Sequence, residues 1–207
     1  MADFALLSIF VPTFFFVSIT PGLCMTLALT MGMTIGVRKT LWMMSGELVG
    51  VGVVAAAAVL GVAATVAAYP GIFVFIKYGG GAYLTFLGVQ LWLSRGRMAI
   101  NLDAECAVQP LRVELATQGF VTAIANPKAW AFMISLLPPF VNLQHAIAPQ
   151  LAMLVSLILL LEFVCLIIYA TGGKSLRKFL QKTGNVRLLN RIAGTLMVGV
   201  GGWLAFL

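Results

Sequence analysis

Charge is scarce in this chain. Only 9% of its 207 residues are Asp, Glu, Lys or Arg, against roughly 25% in a soluble domain. Hydrophobic residues make up 61% and the mean hydropathy is +1.06. That excludes a water-soluble domain, and apolar stretches of roughly 20 residues point to membrane helices rather than to the short alternating strands of a barrel. Histidine is almost absent, with His145 alone in a short turn, and the three cysteines, Cys24, Cys106 and Cys165, stand at unrelated spacings. No metal motif and no disulfide framework can be built from that set, so neither a metal nor a cofactor is expected. Acids number six against thirteen basic residues, a net charge of +7. The basic residues fall mostly between hydrophobic segments, where they set membrane orientation, so no nucleic-acid partner is expected. Met1-Ala2-Asp3 lacks the positive n-region of a signal peptide, and the first hydrophobic segment is expected to be retained.

What is present is six hydrophobic segments, at about 4–36, 41–69, 72–93, 115–141, 150–172 and 192–207, the last of them short. Residues 94–114 form the one long polar stretch and read as a surface loop, and Lys174 to Arg191 read as a strongly basic loop. Lys and Arg number two after the first segment, three after the third and six after the fifth, with none after the second and fourth. The positive-inside rule then places loops one, three and five in the cytoplasm and both termini outside.

Two helix breaks stand out. Thr20-Pro21-Gly22 interrupts a first segment that carries no charge from Phe4 to Val37. Fully helical, that segment would be about 50 Å long against a hydrocarbon core of about 30 Å. Proline removes an N–H and clashes with the carbonyl four residues back, that of Val17, and glycine lets the chain leave helical geometry. Asn126-Pro127-Lys128 interrupts the fourth segment. Superposing Pro21 on Pro127 puts Phe14 on Phe120 and Thr20 on Asn126; superposing Lys77 on Arg191 puts Gly80 on Gly194 and Gly88 on Gly202. Glu47 and Glu162 fall near corresponding places in segments two and five. The expected fold is therefore an all-α integral membrane protein of six transmembrane helices, two inverted three-helix repeats with helices one and four broken. The repeats are residues 1–93 and 115–207, joined by a cytoplasmic loop at 94–114. Inverted repeats with paired breaks place a transport site at the repeat interface.

With Thr20-Pro21-Gly22, Gly80-Gly81-Ala82-Tyr83-Leu84 with Gly88, and Asn126-Pro127-Lys128-Ala129 followed by Leu137-Pro138, the chain resembles the lysine-exporter (LysE/RhtB) family of small amino-acid efflux proteins over essentially its whole length. The family usually has a proline after Thr-Pro-Gly, where Leu23 stands here. The resemblance implies export of amino acids or close derivatives across the inner membrane, driven by the proton gradient.

Thr20, Pro21, Gly22, Asn126, Pro127 and Lys128 are the expected substrate-binding residues. Half-helix N-termini suit a carboxylate, and freed carbonyls such as those of Val17 and Ala123 suit an ammonium, so paired breaks match a zwitterion. Glu47 and Glu162 are the expected proton-coupling acids, because a carboxyl at membrane depth needs a partner or a proton. Their structural alternative is a neutral acid that ties helices together. Lys128 could pair with either acid or hold a substrate carboxylate, whereas Lys77 can snorkel to the interface. The Gly-x-x-x-Gly spacings at 32/36 and 46/50 serve close helix packing, within one chain or between copies of a homo-oligomer. Three competing functions stay open at this point: a channel, an assembly factor, and a thiol oxidoreductase pairing Cys24 with Cys165. No catalytic constellation favours an enzyme.

Overall fold

The computed structural model describes residues 4–69, 71–94, 110–137, 140–141 and 146–206. Among them are eight α-helices and no strand: α1 Phe4–Ile19, α2 Leu23–Thr34, α3 Val37–Ala68, α4 Ile72–Leu93, α5 Arg112–Ile124, α6 Pro127–Leu136, α7 Ile147–Gln181 and α8 Thr183–Phe206. The stretches Val37–Val62 and Ile147–Gly173 are each long and apolar enough to cross a membrane. The pair α1–α2 makes a third if it counts as one span, bent by 56° at its break. His145, Cys106, Pro138-Pro139 and residues 95–109 of the expected polar loop lie outside the described residues, as does the side chain of Lys77.

Both expected breaks are real. The chain leaves helix at Thr20 and resumes at Leu23; it leaves again at Ala125 and resumes at Pro127. Pro127 occupies the first helical position, where its missing N–H is not needed. Between α2 and α3 the turn is made at Gly36, whose φ of 83° favours glycine.

Two boundaries differ from expectation. The polar loop expected to reach residue 114 ends sooner, because α5 starts at Arg112. The Glu114 carboxylate accepts the Leu111 N–H at 2.8 Å and caps the helix start. The basic stretch Lys174–Arg191 is not a loop. It is helical on both sides of Lys182, so the last segment begins at Thr183 and runs for 24 residues. Lysine, arginine and leucine are all good helix formers, and a run of charge marks a membrane boundary without ending a helix. What interrupts the helix is conformational: a kink at Gly173, with φ 47°, and a break at Lys182, where the Asn185 amide donates to the Phe179 carbonyl at 2.9 Å.

Packing follows the small residues. On α4 and α8, Gly88 faces Gly194 and Gly81 faces Gly201, so the two helices run antiparallel. On α3 and α5, Gly46 lies on Ala116, Gly50 on Ala123 and Gly119 on Met43. Backbones that approach this closely gain dispersion contacts that lipid cannot supply.

The buried side chains form two apolar cores. One gathers Phe10, Phe14, Val51, Phe132, Leu154 and Ile158. The other gathers Met25, Leu29, Met43, Met44, Leu166 and Tyr169. Several elements pass from one core to the other, and where they cross the residues turn polar. On α3, Met44 belongs to one core and Val51 to the other, with Glu47 between; on α7, Ile158 and Cys165 flank Glu162. The α1–α2 break lies between Val17 and Met25 in the same way.

Gly119→Ala tests the α3–α5 seam. A Cβ there would stand 2.0 Å from the Met43 carbonyl oxygen. Overpacking of this kind costs about 1–3 kcal/mol, so the variant should melt earlier in detergent. Gly199→Ala, with open space around it, should melt like the parent.

Candidate functional site

The break at Pro21 leaves backbone carbonyls without their helical donors, and the rest of the chain supplies donors from a distance. Pro21 has no N–H for the Val17 carbonyl; the Lys128 ammonium donates to that oxygen at 2.9 Å instead. The Ile19 carbonyl accepts the Tyr169 hydroxyl at 2.7 Å. Thr20, fully buried, turns its hydroxyl back onto the Phe16 carbonyl at 2.6 Å. Gly22 precedes α2 with no side-chain cap, which leaves the first N–H groups of that helix open and its positive end uncovered.

The second break is closed more locally. The Asn126 side-chain oxygen accepts the Lys128 N–H at 3.1 Å, and the Ala123 carbonyl accepts the Asn126 N–H at 3.2 Å. The Trp130 indole donates to the Ile124 carbonyl at 2.8 Å. The Asn126 amide reaches across to the Cys24 sulfur at 3.5 Å, so the two breaks touch.

The expectation of free carbonyls at Val17 and Ala123 is thus corrected. Both are occupied, the first by a lysine from the opposite break. The reason is the cost of an orphan carbonyl in a dry interior, about 1–3 kcal/mol, which a nearby ammonium removes. Lys128 forms no ion pair with Glu47 or Glu162 among the described residues; its close contact is the Val17 oxygen.

These groups surround a cavity of about 60 Å³ lined by Ser18, Thr20, Gly22, Leu23, Cys24, Asn126, Lys128 and Glu162, with Phe14, Val17, Phe132 and Met133 on its apolar side. Leu23, where the family pattern has proline, is the first residue of α2 and borders this cavity. Glu162 is buried and accepts a short hydrogen bond from the Ser18 hydroxyl. The cavity therefore holds a cation, a carboxyl, a carboxamide and an uncapped helix end together.

Of the expected residues, Thr20, Gly22, Asn126, Lys128 and Glu162 line this one cavity, whereas Pro21 and Pro127 stand in the two breaks without lining it. Glu47 does not line it. It is fully buried on α3 against α5, where a Cβ on Gly119 would meet its backbone N–H. Among the described residues, neither Glu47 carboxyl oxygen has a hydrogen-bond partner. Ser18, Cys24 and Tyr169 are not among the binding residues expected from the sequence. Tyr169 lies seven positions after Glu162 and so shares its helix face, a signal that would have found it. Cys24 and Cys165 are both free thiols in the structure.

Comparison with known proteins gives one consistent picture. The family described as LysE type translocator matches residues 15–207. An uncharacterized membrane protein of Vibrio cholerae is 24% identical over 91% of this chain and 90% of its own length. A leucine efflux protein of an Enterobacter species is 28% identical over 93% of this chain and 92% of that protein. A homoserine/homoserine lactone efflux protein of Salmonella typhimurium is 29% identical over 64% of this chain and 63% of that protein. No solved structure matches the chain.

Lys128→Met tests the bridge between the breaks. It removes the donor from the Val17 carbonyl, so the protein should lose about 1–3 kcal/mol of stability, read as earlier thermal unfolding in detergent. A melting temperature equal to the parent's would mean that another group satisfies that carbonyl.

Proposed function

The chain belongs to the family of LysE type translocators, and we propose that it is a secondary active transporter that exports amino acids or close derivatives in exchange for protons. The observation that carries this reading is the polar cavity at the two touching breaks, enclosed between two apolar cores. The efflux proteins among its relatives support the substrate class.

In this reading the chain crosses the inner membrane six times as two inverted repeats, 1–93 and 115–207, with both termini outside. The antiparallel packing of α4 on α8 supports it; their 22 and 24 residues give each about 33–36 Å of helix, enough for the hydrocarbon core. The substrate sits between Thr20-Pro21-Gly22 and Asn126-Pro127-Lys128. Its carboxylate faces the Lys128 ammonium and the uncapped N–H groups of α2. Its ammonium faces the Glu162 carboxyl. Because one carboxyl can hold a proton or an ammonium but not both, the two ligands compete, and competition at one group is sufficient for exchange. Glu47, fully buried and with both carboxyl oxygens unpartnered among the described residues, is the second acid of the proton route. The cycle is alternate opening of the two apolar cores as the repeats rock.

The test uses the purified chain in proteoliposomes with a clamped membrane potential and labelled leucine, homoserine and lysine. One proton per substrate and a gradient of one pH unit should sustain about tenfold accumulation. Glu162→Gln should abolish uphill movement while leaving downhill exchange, and Glu47→Gln should lower it. If both variants concentrate substrate as the parent does, coupling through these acids is wrong. If no amino acid moves under any gradient, the exporter reading falls and a channel or assembly role takes its place.

A further inference from the structure

The basic end of the molecule carries a surface that the cavity does not use. Beyond the Gly173 kink, residues 174–181 form a short helical shelf that breaks at Lys182 and turns into α8. Leu176, Leu180 and Val186 face inward, against the methionine-rich core. Lys178, Lys182 and Arg187 are exposed and Arg177 is half-buried. Phe179 and Leu188 stand among them, 47% and 59% exposed.

Among the described residues, no acid balances this charge. No acidic residue occurs between Glu162 and the final Leu207. None of the four cations has an ion pair among the described residues, and the Arg177 Nε is buried with no hydrogen-bond acceptor. Lys178 and Lys182 lie four apart, a spacing at which like charges repel. An external anion would relieve that repulsion and accept from the Arg177 Nε.

Its height relative to the bilayer is marked by two cation–aromatic pairs. The Arg191 guanidinium lies 4.7 Å from the Trp92 ring centre, and that of Arg112 lies 5.2 Å from Trp42. Tryptophan collects at the membrane–water boundary. Arg187 and Leu188 precede Arg191 by about one helical turn, so the shelf begins at the headgroup level.

We propose that this shelf is a binding surface for the anionic lipids of the bilayer, with headgroup phosphates on Arg177, Lys178, Lys182 and Arg187 and with Phe179 and Leu188 in the acyl boundary. The exposed apolar side chains among the cations select a lipid over a free phosphate, which has nothing to offer them. Attraction near an anionic surface amounts to about fivefold in affinity for each Lys or Arg.

The full chain is reconstituted in phosphatidylcholine with spin-labelled phosphatidylglycerol or spin-labelled phosphatidylcholine, and the motionally restricted fraction of each is compared. The parent should select the anionic lipid by about tenfold or more, and added salt should weaken that preference. The variant Arg177→Gln/Lys178→Gln/Lys182→Gln should fall to near parity. The charge-preserving variant Arg177→Lys/Lys178→Arg/Lys182→Arg should retain selectivity, which separates lost charge from a misfolded shelf. Parity in the parent, unchanged selectivity in the glutamine variant, equal loss in both variants, or displacement of the lipid by inorganic phosphate at matched ionic strength would each overturn the proposal.

Discussion

The arrangement rests on one unmet backbone group. Pro21 deprives the Val17 carbonyl of its helical N–H, and in a water-poor interior that oxygen must be satisfied from elsewhere. The donor is the Lys128 ammonium, 111 positions later in the chain. This contact ties the two helix breaks together, and the contacts beside it share the layer. With α6 held against α1, Asn126 comes within reach of Cys24. Tyr169 closes the Ile19 carbonyl from α7, which brings the Glu162 face of that helix to Ser18. A proline that weakens one helix thus recruits side chains from two others, and the groups recruited are the ones that make the cavity polar.

The polar groups are placed by layer as well as by contact. The Glu47 and Glu162 carboxyls stand on different helices and have different surroundings, one without hydrogen-bond partners among the described residues and one bonded to Ser18. Yet each occupies the point where its helix passes from the phenylalanine-rich core to the methionine-rich core. A polar residue inside either core would cost packing as well as desolvation. At the seam it costs less, because other polar groups share the layer. The cavity and both acids are consequences of the same division of the interior into two apolar halves.

Much of this is legible in the sequence, and the limits are instructive. Both breaks can be read because proline and glycine act locally, on φ and on the N–H. The Val17 carbonyl can be named as the orphan for the same reason. Its partner cannot, since a residue 111 positions away meets it only through tertiary packing. Glu47 and Glu162 look equivalent as isolated acids in apolar runs; only packing separates the one that lines the cavity from the one buried on α3 outside it. The basic stretch after Gly173 reads as a loop only if charge is treated as a structural stop. Lysine and arginine end a membrane span, but they do not end a helix. Leu111, an apolar residue before a helix start, gives no sign of a cap; the cap is made by Glu114 reaching back.

The two cores also differ in what it takes to open them. In the proposed cycle the two cores open alternately, while the glycine seams of α3 on α5 and α4 on α8 hold those pairs in close backbone contact. The first core is held by rings in defined contact: Phe10 stacks on Phe14 with centres 5.7 Å apart and meets Phe140 edge-on at 5.0 Å, and Phe14 meets Phe132 at 5.8 Å. Each such pair contributes about 0.5–1.5 kcal/mol beyond its buried area and is lost once the rings separate. The second core is built on Met25, Met43 and Met44, whose unbranched side chains can refill a gap by changing rotamer. When the helices there separate, such side chains can follow them and keep some of their contact. In the proposed cycle the methionine side, which packs against the basic end of the molecule, is accordingly the softer closure, and the phenylalanine side the more rigidly packed one.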